Sequence, residues 1–118
     1  MLNATPHTVT VRDASGKEWV YPPSGEQARV MVSSKEEPSW DDGCPTTSVY
    51  YGIAILPPAA IEAANRGEGV IVSTMFADAY RKQNPESNLF INLFVPDSGP
   101  SAIRENGQIK AVRNLIRR

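Results

Sequence analysis

The sequence predicts an α+β domain with a mostly antiparallel β-sheet and two short helices in the second half of the chain. Three observations support this class. Segments rich in β-branched residues fill most of the first half and are separated by turns rich in Gly, Pro, Asp and Ser. Two segments with helical spacing follow, and strand-like segments resume after them. Blocks of strands around helices, without strict alternation, are typical of this class, and 118 residues suit one compact domain spanning the whole chain.

The first half contains four predicted strands. Alternating residues at 8–12 and 17–21, with Asp-Ala-Ser-Gly between them, predict a hairpin. Residues 26–34 form a third predicted strand, in which Ala28, Val30 and Val32 face the core. A polar loop is expected at 35–45, and a long strand at 46–56. Gly52 inside that strand predicts a bulge or a close backbone approach.

Helix signals begin after residue 56. Pro57 and Pro58 suit a first helical turn, residues 59–65 form the predicted helix, and Gly67 ends it. A short buried strand is expected at 69–73. Ser73 or Thr74 then caps a second predicted helix at 75–83.

The segment 88–95 alternates with a period of two. Leu89, Ile91, Leu93 and Val95 form an aliphatic row, whereas Phe90, Asn92 and Phe94 form the opposite row. The mixed row fits two interpretations. It is part of a pocket for a flat, negatively charged ligand such as a nucleotide, or it packs against a neighbouring subunit or a helix.

Polar groups follow this strand closely. Residues 97–100 form a predicted turn in which Gly99 can take a positive φ and the amides on either side of it can converge on an anion. Arg104 comes directly after the turn. Asn106-Gly107 predicts a tight hairpin, and residues 108–115 form the last predicted strand. Ile109, Val112 and Leu115 do not alternate cleanly, so the pattern leaves a bulge or a late helical turn open within this strand.

The charge is nearly balanced but unevenly distributed. The chain has 12 Lys and Arg residues and 13 Asp and Glu residues, and this balance argues against bulk nucleic-acid binding. Residues 101–118 nevertheless contain five basic residues and one acid. This segment is either a cationic patch for a ligand with a few phosphates or a solvated tail. No apolar run approaches 18 residues, so no transmembrane helix and no membrane partner are expected.

Catalytic machinery is sparse in the sequence. The chain has one histidine, His7, and one cysteine, Cys44, and neither lies in a recognised catalytic motif. The single cysteine excludes an intrachain disulfide and fits a reducing cytosol. One histidine is too few for most transition-metal sites, so we expect no metal and no cofactor.

Four blocks of the sequence resemble a known family when they are taken together. They are Asn-Ala-Thr-Pro-His-Thr-Val-Thr-Val (3–11), Pro-Pro-Ser-Gly-Glu-Gln-Ala-Arg (22–29), Val-Pro-Asp-Ser-Gly-Pro (95–100) and Val-Arg-Asn-Leu-Ile-Arg (112–117). Their order and the chain length resemble the type-one Thoeris anti-defence family of phages. The resemblance implies a sponge in the cytoplasm of an infected bacterium. Such a protein sequesters a cyclic ADP-ribose isomer without cleaving it, forms homo-oligomers (dimers or higher assemblies such as hexamers) and has additional sites for cyclic oligonucleotides.

The resemblance also implies roles for side chains of this chain. Asn92 would form a hydrogen bond with the ligand. Phe90 or Phe76 would stack on its adenine, and Arg104 or Arg113 would clamp a phosphate. A second ligand site would use three further arginines, Arg29, Arg117 and Arg118.

The sequence leaves two other functions open. In the first, the chain is a phage factor that inhibits a host protein by direct binding, with Trp40, Tyr50 and Tyr51 as anchors. Alternatively, it is a small nucleotide-processing enzyme that uses His7.

Overall fold

The computed structural model describes residues 1–85 and 91–118, and it confirms the α+β class with mostly antiparallel sheets. The helices are α1 (Pro58–Asn65) and α2 (Thr74–Gln83). The strands are β1 (Leu2–Asn3), β2 (Val9–Arg12), β3 (Glu18–Tyr21), β4 (Arg29–Glu37), β5 (Thr46–Ile55), β6 (Val70–Ile71), β7 (Leu93–Pro96), β8 (Ile103–Glu105), β9 (Gln108–Ala111) and β10 (Leu115–Arg117). None of the described helices has the length and apolar character needed to cross a membrane.

A four-stranded mixed sheet organises the body of the molecule. Its strand order is β1-β6-β7-β10, in which β6 is parallel to both neighbours and β10 is antiparallel to β7. One face is covered by the helices, because Val70, Leu93 and Val95 are buried in the same cluster as Phe76 of α2 and Ala60 of α1. Burying these apolar side chains supplies the main stabilisation of the fold.

Two β-hairpins cover part of the opposite face. The β2–β3 and β8–β9 pairs are joined by a parallel bridge between Val11 and Val112. Val9, Val11, Val112 and Ala102 bury Ile71 of the central sheet in a second apolar cluster. The sheet therefore has helices on one side and hairpins on the other.

The predicted turn and cap residues are confirmed where the sequence signal is local. The Ser73 Oγ accepts a hydrogen bond from the Phe76 amide at 3.1 Å and caps α2. Asn106 and Gly107 have φ values of 54° and 79°, which a tight β8–β9 hairpin turn requires. Gly67 follows α1 with a φ of 82°.

The prediction of one last strand over 108–115 is wrong. The chain leaves β9 at Ala111 and enters β10, which belongs to a different sheet, at Leu115. Between them, Val112 is held by β2, since its amide donates to Thr10 and its carbonyl accepts from Arg12. This attachment redirects the chain from the hairpin layer to the edge of the central sheet.

A long hairpin extends from the body, and we refer to β4, β5 and the turn between them as the arm. Ala54 is buried at its root, but Val32 is half exposed and Met31 is 72% exposed. The prediction that Val32 faces the core is wrong, because the two strands continue past the body and nothing in the described chain covers them there. The radius of gyration of 17.0 Å exceeds the roughly 13–14 Å expected for a compact domain of this length.

The arm is fixed to the body at a bulge. The register shifts between Val30 and Val32, so that Gly52 and Ile53 of β5 lie opposite Met31 of β4. A Cβ at position 52 would lie 3.0 Å from the Met31 Cβ, which explains the glycine. The predicted bulge at Gly52 is thus confirmed.

Candidate functional site

Asn92 and Phe94 lie half-buried near the start of β7, on the hairpin-covered face of the central sheet. Ile91, Leu93 and Val95 are buried on the helix-covered face, so the predicted alternation holds over the described part of the segment. The amide and the aromatic ring therefore share one face, as two-residue periodicity requires. They lie where the hairpins no longer cover the sheet completely.

Arg117 of β10 joins this face. It is the register partner of Phe94, and directly opposed residues of antiparallel strands have Cβ atoms about 4.5–5.5 Å apart on the same side of the sheet. The Phe94 ring lies against Gly69, where an added Cβ would be only 2.7 Å from the ring. The glycine thus allows the ring to lie close to the neighbouring backbone, next to an exposed guanidinium.

Arg81 and Arg118 complete a cationic cluster at the same end of the sheet. From the last turn of α2, Arg81 Nη2 donates to the Ile91 carbonyl at 2.8 Å. Its Nε and Nη2 also donate to the main-chain oxygen of Arg118 at 3.0 and 2.7 Å. The Arg118 amide in turn donates to the Leu93 carbonyl at 2.9 Å. Arg81 therefore ties the end of β10 to the start of β7.

We call Arg81, Asn92, Phe94, Arg117 and Arg118 the arginine corner. Partial burial lowers the pKa of the Arg81 guanidinium, Tyr80 opposes that shift, and the nearby positive charge of Arg117 adds to it. The Arg81 guanidinium is engaged by the Ile91 and Arg118 carbonyls, so an anion at this corner would accept charge-assisted hydrogen bonds from the exposed guanidinium of Arg117.

A groove lined by tyrosines adjoins the arginine corner. It has a volume of about 900 Å³ and lies between the arm and α2. Tyr50 and Tyr51 of β5 line one wall, and Met75 and Lys82 of α2 line the other. Asp78 also lines the groove, and its Oδ1 is 3.5 Å from Arg118 Nη1. The groove therefore lies on the helix-covered side of the sheet, where the Asp78–Arg118 pair connects it to the arginine corner, and its volume is typical of small-molecule sites.

The predicted anion-binding turn at 97–100 is wrong. Gly99 does not have a positive φ, and its amide donates to Asp97 Oδ1 at 3.2 Å. Arg104 donates to the Ser98 and Gly99 carbonyls at 3.0 and 3.3 Å. The Gly99 amide is already bonded to the Asp97 carboxylate, and the Arg104 guanidinium is already bonded to two carbonyls. These hydrogen bonds hold the turn together, so the groups do not converge on a ligand.

Arg113 and Arg29 lie apart from the arginine corner within one chain. Arg113 precedes β10 and donates to the Asp13 carbonyl at 3.3 Å, on the β2–β3 side. Arg29 begins β4 directly after Ala28, whose amide bonds to Ala4 beyond β1 at the other edge of the central sheet. Arg29 therefore lies near the edge of the central sheet opposite to Arg117 and Arg118.

Of the two phenylalanines predicted to stack on adenine, Phe76 is 1% exposed in the core. Its ring stacks on Tyr80 with centroids 5.7 Å apart. A ring enclosed in this way offers no face to a ligand, so the structure does not support Phe76 as a contact residue. Phe90 lies outside the described residues.

His7 and Cys44, the two residues considered for catalysis, lie on separate parts of the described chain. His7 is exposed near the N-terminus, whereas Cys44 is exposed at the end of the arm, on a separate element. Residues 1–85 and 91–118 contain no group of three potential ligands arranged to hold a metal ion. His7 lines a smaller groove of about 420 Å³ with Ser73 and Lys110, but the Ser73 hydroxyl is already the cap of α2.

The arginine corner is equipped for binding. Guanidinium and carboxamide side chains are poor general acids and bases near neutral pH, but they form directional hydrogen bonds with phosphates and with base edges. Comparisons with protein-family models, with curated proteins and with solved structures each found no match. The function must therefore be argued from the site itself and from the resemblance of the four sequence blocks.

Sequence reasoning missed Arg81. A basic residue in the last turn of a helix is common, because it interacts favourably with the helix dipole, and nothing in the sequence distinguishes Arg81 from Lys82. Only the tertiary contacts show that Arg81 reaches across to β7 and β10. The tyrosine groove was missed for the same reason, since its two walls are more than 20 positions apart in the sequence.

Proposed function

We propose that the protein is a phage anti-defence sponge that binds a cyclic ADP-ribose isomer and sequesters it without cleaving it. It would act as a homo-oligomer (a dimer or a higher assembly such as a hexamer) in the cytoplasm of an infected bacterium and block immune signalling there. The four sequence blocks that resemble the type-one Thoeris anti-defence family support this proposal. The arginine corner supports it independently.

The observation that carries the proposal is the register of β7 and β10. It sets Arg117 directly opposite Phe94, on the face that also presents Asn92. Arg81 and Arg118 lie at the same strand ends. A flat base with an attached diphosphate matches this set, because aromatic stacking contributes about 1–3 kcal/mol and arginine binds phosphate oxygens bidentately.

The ligand would lie on the face of the arginine corner that presents Asn92, Phe94 and Arg117. Its phosphates would bind the exposed guanidinium of Arg117, and its adenine would stack on Phe94. Binding of a cyclic oligonucleotide at a second site would use Arg29 from one copy with Arg117 and Arg118 from another. No step in this proposal requires a general acid, a general base or a metal.

Isothermal titration with the purified cyclic ADP-ribose isomer tests the proposal. We expect the wild-type protein to bind, and Arg117→Ala to weaken binding by at least about tenfold, because a charged hydrogen bond contributes about 1.5–3 kcal/mol. Asn92→Ala should weaken binding about fivefold or more. The free energy of unfolding of both variants, measured in urea, should equal that of the wild-type protein to within about 0.5 kcal/mol.

Arg12→Ala is the matched control. Arg12 belongs to β2, and its guanidinium pairs with Glu18 of β3 at 2.8 Å. This variant should bind the ligand like the wild-type protein. Equal losses in Arg12→Ala and Arg117→Ala would mean that only net charge matters, and absence of binding by the wild-type protein would contradict the proposal. Recovery of one stoichiometric host protein without nucleotide would instead favour direct inhibition of a host protein.

A further inference from the structure

A groove of about 420 Å³ lies between the N-terminal segment, β9 and the start of α2. We call it the N-terminal groove, and it is lined by residues 5–10, 72–73, 96 and 109–112. None of these residues belongs to the arginine corner or lines the tyrosine groove. Its volume lies within the range of about 300–1,000 Å³ that is usual for small-molecule sites. The N-terminal groove is therefore a separate cavity of suitable size for a second ligand.

The floor of the N-terminal groove is apolar and already formed. Val72, Ala111 and Val112 line it and are buried. Its two walls are joined directly, because the Val112 amide donates to the Thr10 carbonyl at 2.9 Å. Ile109 also lines the groove and is 46% exposed, so apolar surface continues to the solvent-accessible edge. An apolar ligand body would thus leave water for a complementary surface.

Five polar side chains around this floor are able to donate hydrogen bonds. They are His7, Thr8, Thr10, Ser73 and Lys110. Ser73 Oγ accepts from the Phe76 amide, so its own proton stays available for another acceptor. The side chains of His7, Thr8 and Thr10 form no hydrogen bond with other described residues. No carboxylate is found among the described residues that line the groove, so its polar surface complements an anion.

The backbone at His7 is fixed before any ligand binds. Its carbonyl accepts from Asn3 Nδ2 at 2.8 Å and from Thr5 Oγ1 at 3.0 Å. Asn3 is itself buried, and its Nδ2 also donates to the Tyr21 carbonyl of β3 at 2.8 Å. This network sets the position from which the imidazole reaches the groove. A position that is fixed in advance reduces the entropy lost on binding.

Lys110 supplies the ammonium group of the groove. Its Nζ lies 2.8 Å from Glu105 Oε2, but both side chains are more than half exposed, and a surface ion pair of this kind contributes little stability. Replacement of Glu105 by a ligand carboxylate would therefore cost little. No arginine is present among the described lining residues, and arginine is the side chain that binds phosphate bidentately. One ammonium with hydroxyl donors thus suits a singly charged carboxylate better than a phosphate.

We propose that the N-terminal groove binds a small carboxylic acid with an apolar body. The ligand carboxylate accepts hydrogen bonds from the Lys110 ammonium and from the donors beside it, His7 included. The apolar body covers Val72, Ala111 and Val112. This site does not depend on the anti-defence function, because no residue of the arginine corner takes part in it.

Two-dimensional ¹H–¹⁵N spectra of the full chain, titrated with 2-naphthoate, test the proposal. We expect saturable shifts of the amides of residues 8–10 and 109–112. The alcohol 2-naphthylmethanol has the same body without a charge and should bind at least about fivefold more weakly, because it cannot form a charged hydrogen bond. The phosphate ester 2-naphthyl phosphate should bind no more tightly than 2-naphthoate. Tighter binding of the phosphate, or equal binding of the alcohol, would contradict the assignment of a carboxylate.

Lys110→Met tests the role of the ammonium. It should weaken binding of 2-naphthoate at least about fivefold, since it removes the charge and keeps a side chain of similar length. Lys35→Met is the matched control, because Lys35 is an exposed lysine of β4 in the arm and the change in net charge is the same. The control should bind 2-naphthoate like the wild-type protein. The spectra of both variants away from the substitution should match the wild-type spectrum, which shows that both are folded.

Absence of saturable shifts in the wild-type protein would overturn the proposal. Shifts confined to the arm and α2 would also overturn it, because they would place the probe in the tyrosine groove. Equal affinities of the wild-type protein and Lys110→Met, or equal losses in Lys110→Met and Lys35→Met, would do the same. A negative result would not bear on the arginine corner, whose ligand and residues are different.

Discussion

Asn3 organises the N-terminal segment through its side-chain amide. It is the only buried polar residue in the described chain, with 2% of its surface exposed. Its Nδ2 donates to the His7 and Tyr21 carbonyls, both at 2.8 Å. Its Oδ1 accepts from the Thr5 amide at 3.0 Å and from the Thr5 hydroxyl at 2.7 Å. A single side chain thus satisfies four polar groups and joins the start of the chain to β3.

Asn3→Ala should lower the free energy of unfolding by about 1–3 kcal/mol, because it leaves two part-buried carbonyls and an amide without the partner that Asn3 supplies. Urea unfolding measured by tryptophan fluorescence gives this quantity. Asn114→Ala is the control, since Asn114 is exposed and only its main-chain oxygen is engaged. Its effect should be within about 0.5 kcal/mol. Similar losses in the two variants would show that the Asn3 network does not stabilise the fold.

At the scale of elements, Gln83 connects α2 to the arm. Its Nε2 donates to the Gly52 carbonyl at 2.8 Å, and its Oε1 accepts from the Ala54 amide at 2.8 Å. The Gln83 side chain therefore forms the two hydrogen bonds that a neighbouring strand would form with Gly52 and Ala54, on the edge of β5 that faces away from β4. The orientation of the arm relative to the body depends on this pair of bonds.

Gln83→Ala should release the arm root without unfolding the body. We expect hydrogen exchange of the Ala54 amide to accelerate by about tenfold or more, since two hydrogen bonds contribute about 2 kcal/mol. Exchange in the buried part of α2 should change little. Lys82→Ala, at the adjacent position of α2, should leave the exchange of Ala54 unchanged. Equal protection in wild-type and Gln83→Ala would show that the arm is held by other contacts.

Sequence reasoning predicted well those features whose conformation depends on interactions between residues close together in the sequence. The Ser73 cap, the Asn106-Gly107 turn and the Gly52 bulge each follow from local backbone chemistry. The predictions of an inward-facing Val32 and of a single last strand were wrong, because both features depend on which elements pack against the segment in the folded protein. Alternation indicates that a strand has two different faces, but it does not indicate whether any element covers them.

The same distinction applies to the candidate site. The shared face of Asn92 and Phe94 follows from two-residue periodicity and was predictable. The pairing of Arg117 with Phe94 and the reach of Arg81 to β7 required the tertiary register. Phe76 was a predicted contact residue, but it joins the core, since a large aromatic on the apolar face of α2 gains more from burial than from exposure.

At the scale of the whole molecule, the arm and the arginine corner are separate features. The molecule measures 53 × 39 × 24 Å because the arm extends beyond a small body. Helix α2 lies beside both features, since it lines the tyrosine groove together with residues of the arm and carries Arg81 of the arginine corner. In the proposed account, the arginine corner holds the anionic ligand.

The most direct test of the central claim is the chemical state of a ligand released from the protein. The wild-type protein would be incubated with the cyclic ADP-ribose isomer, separated from free ligand, heated and analysed by liquid chromatography with mass spectrometry. A sponge built around the arginine corner should release the isomer intact, in an amount close to one molecule per site and only after heating. Recovery of a hydrolysed product, or of no nucleotide at all, would contradict the account.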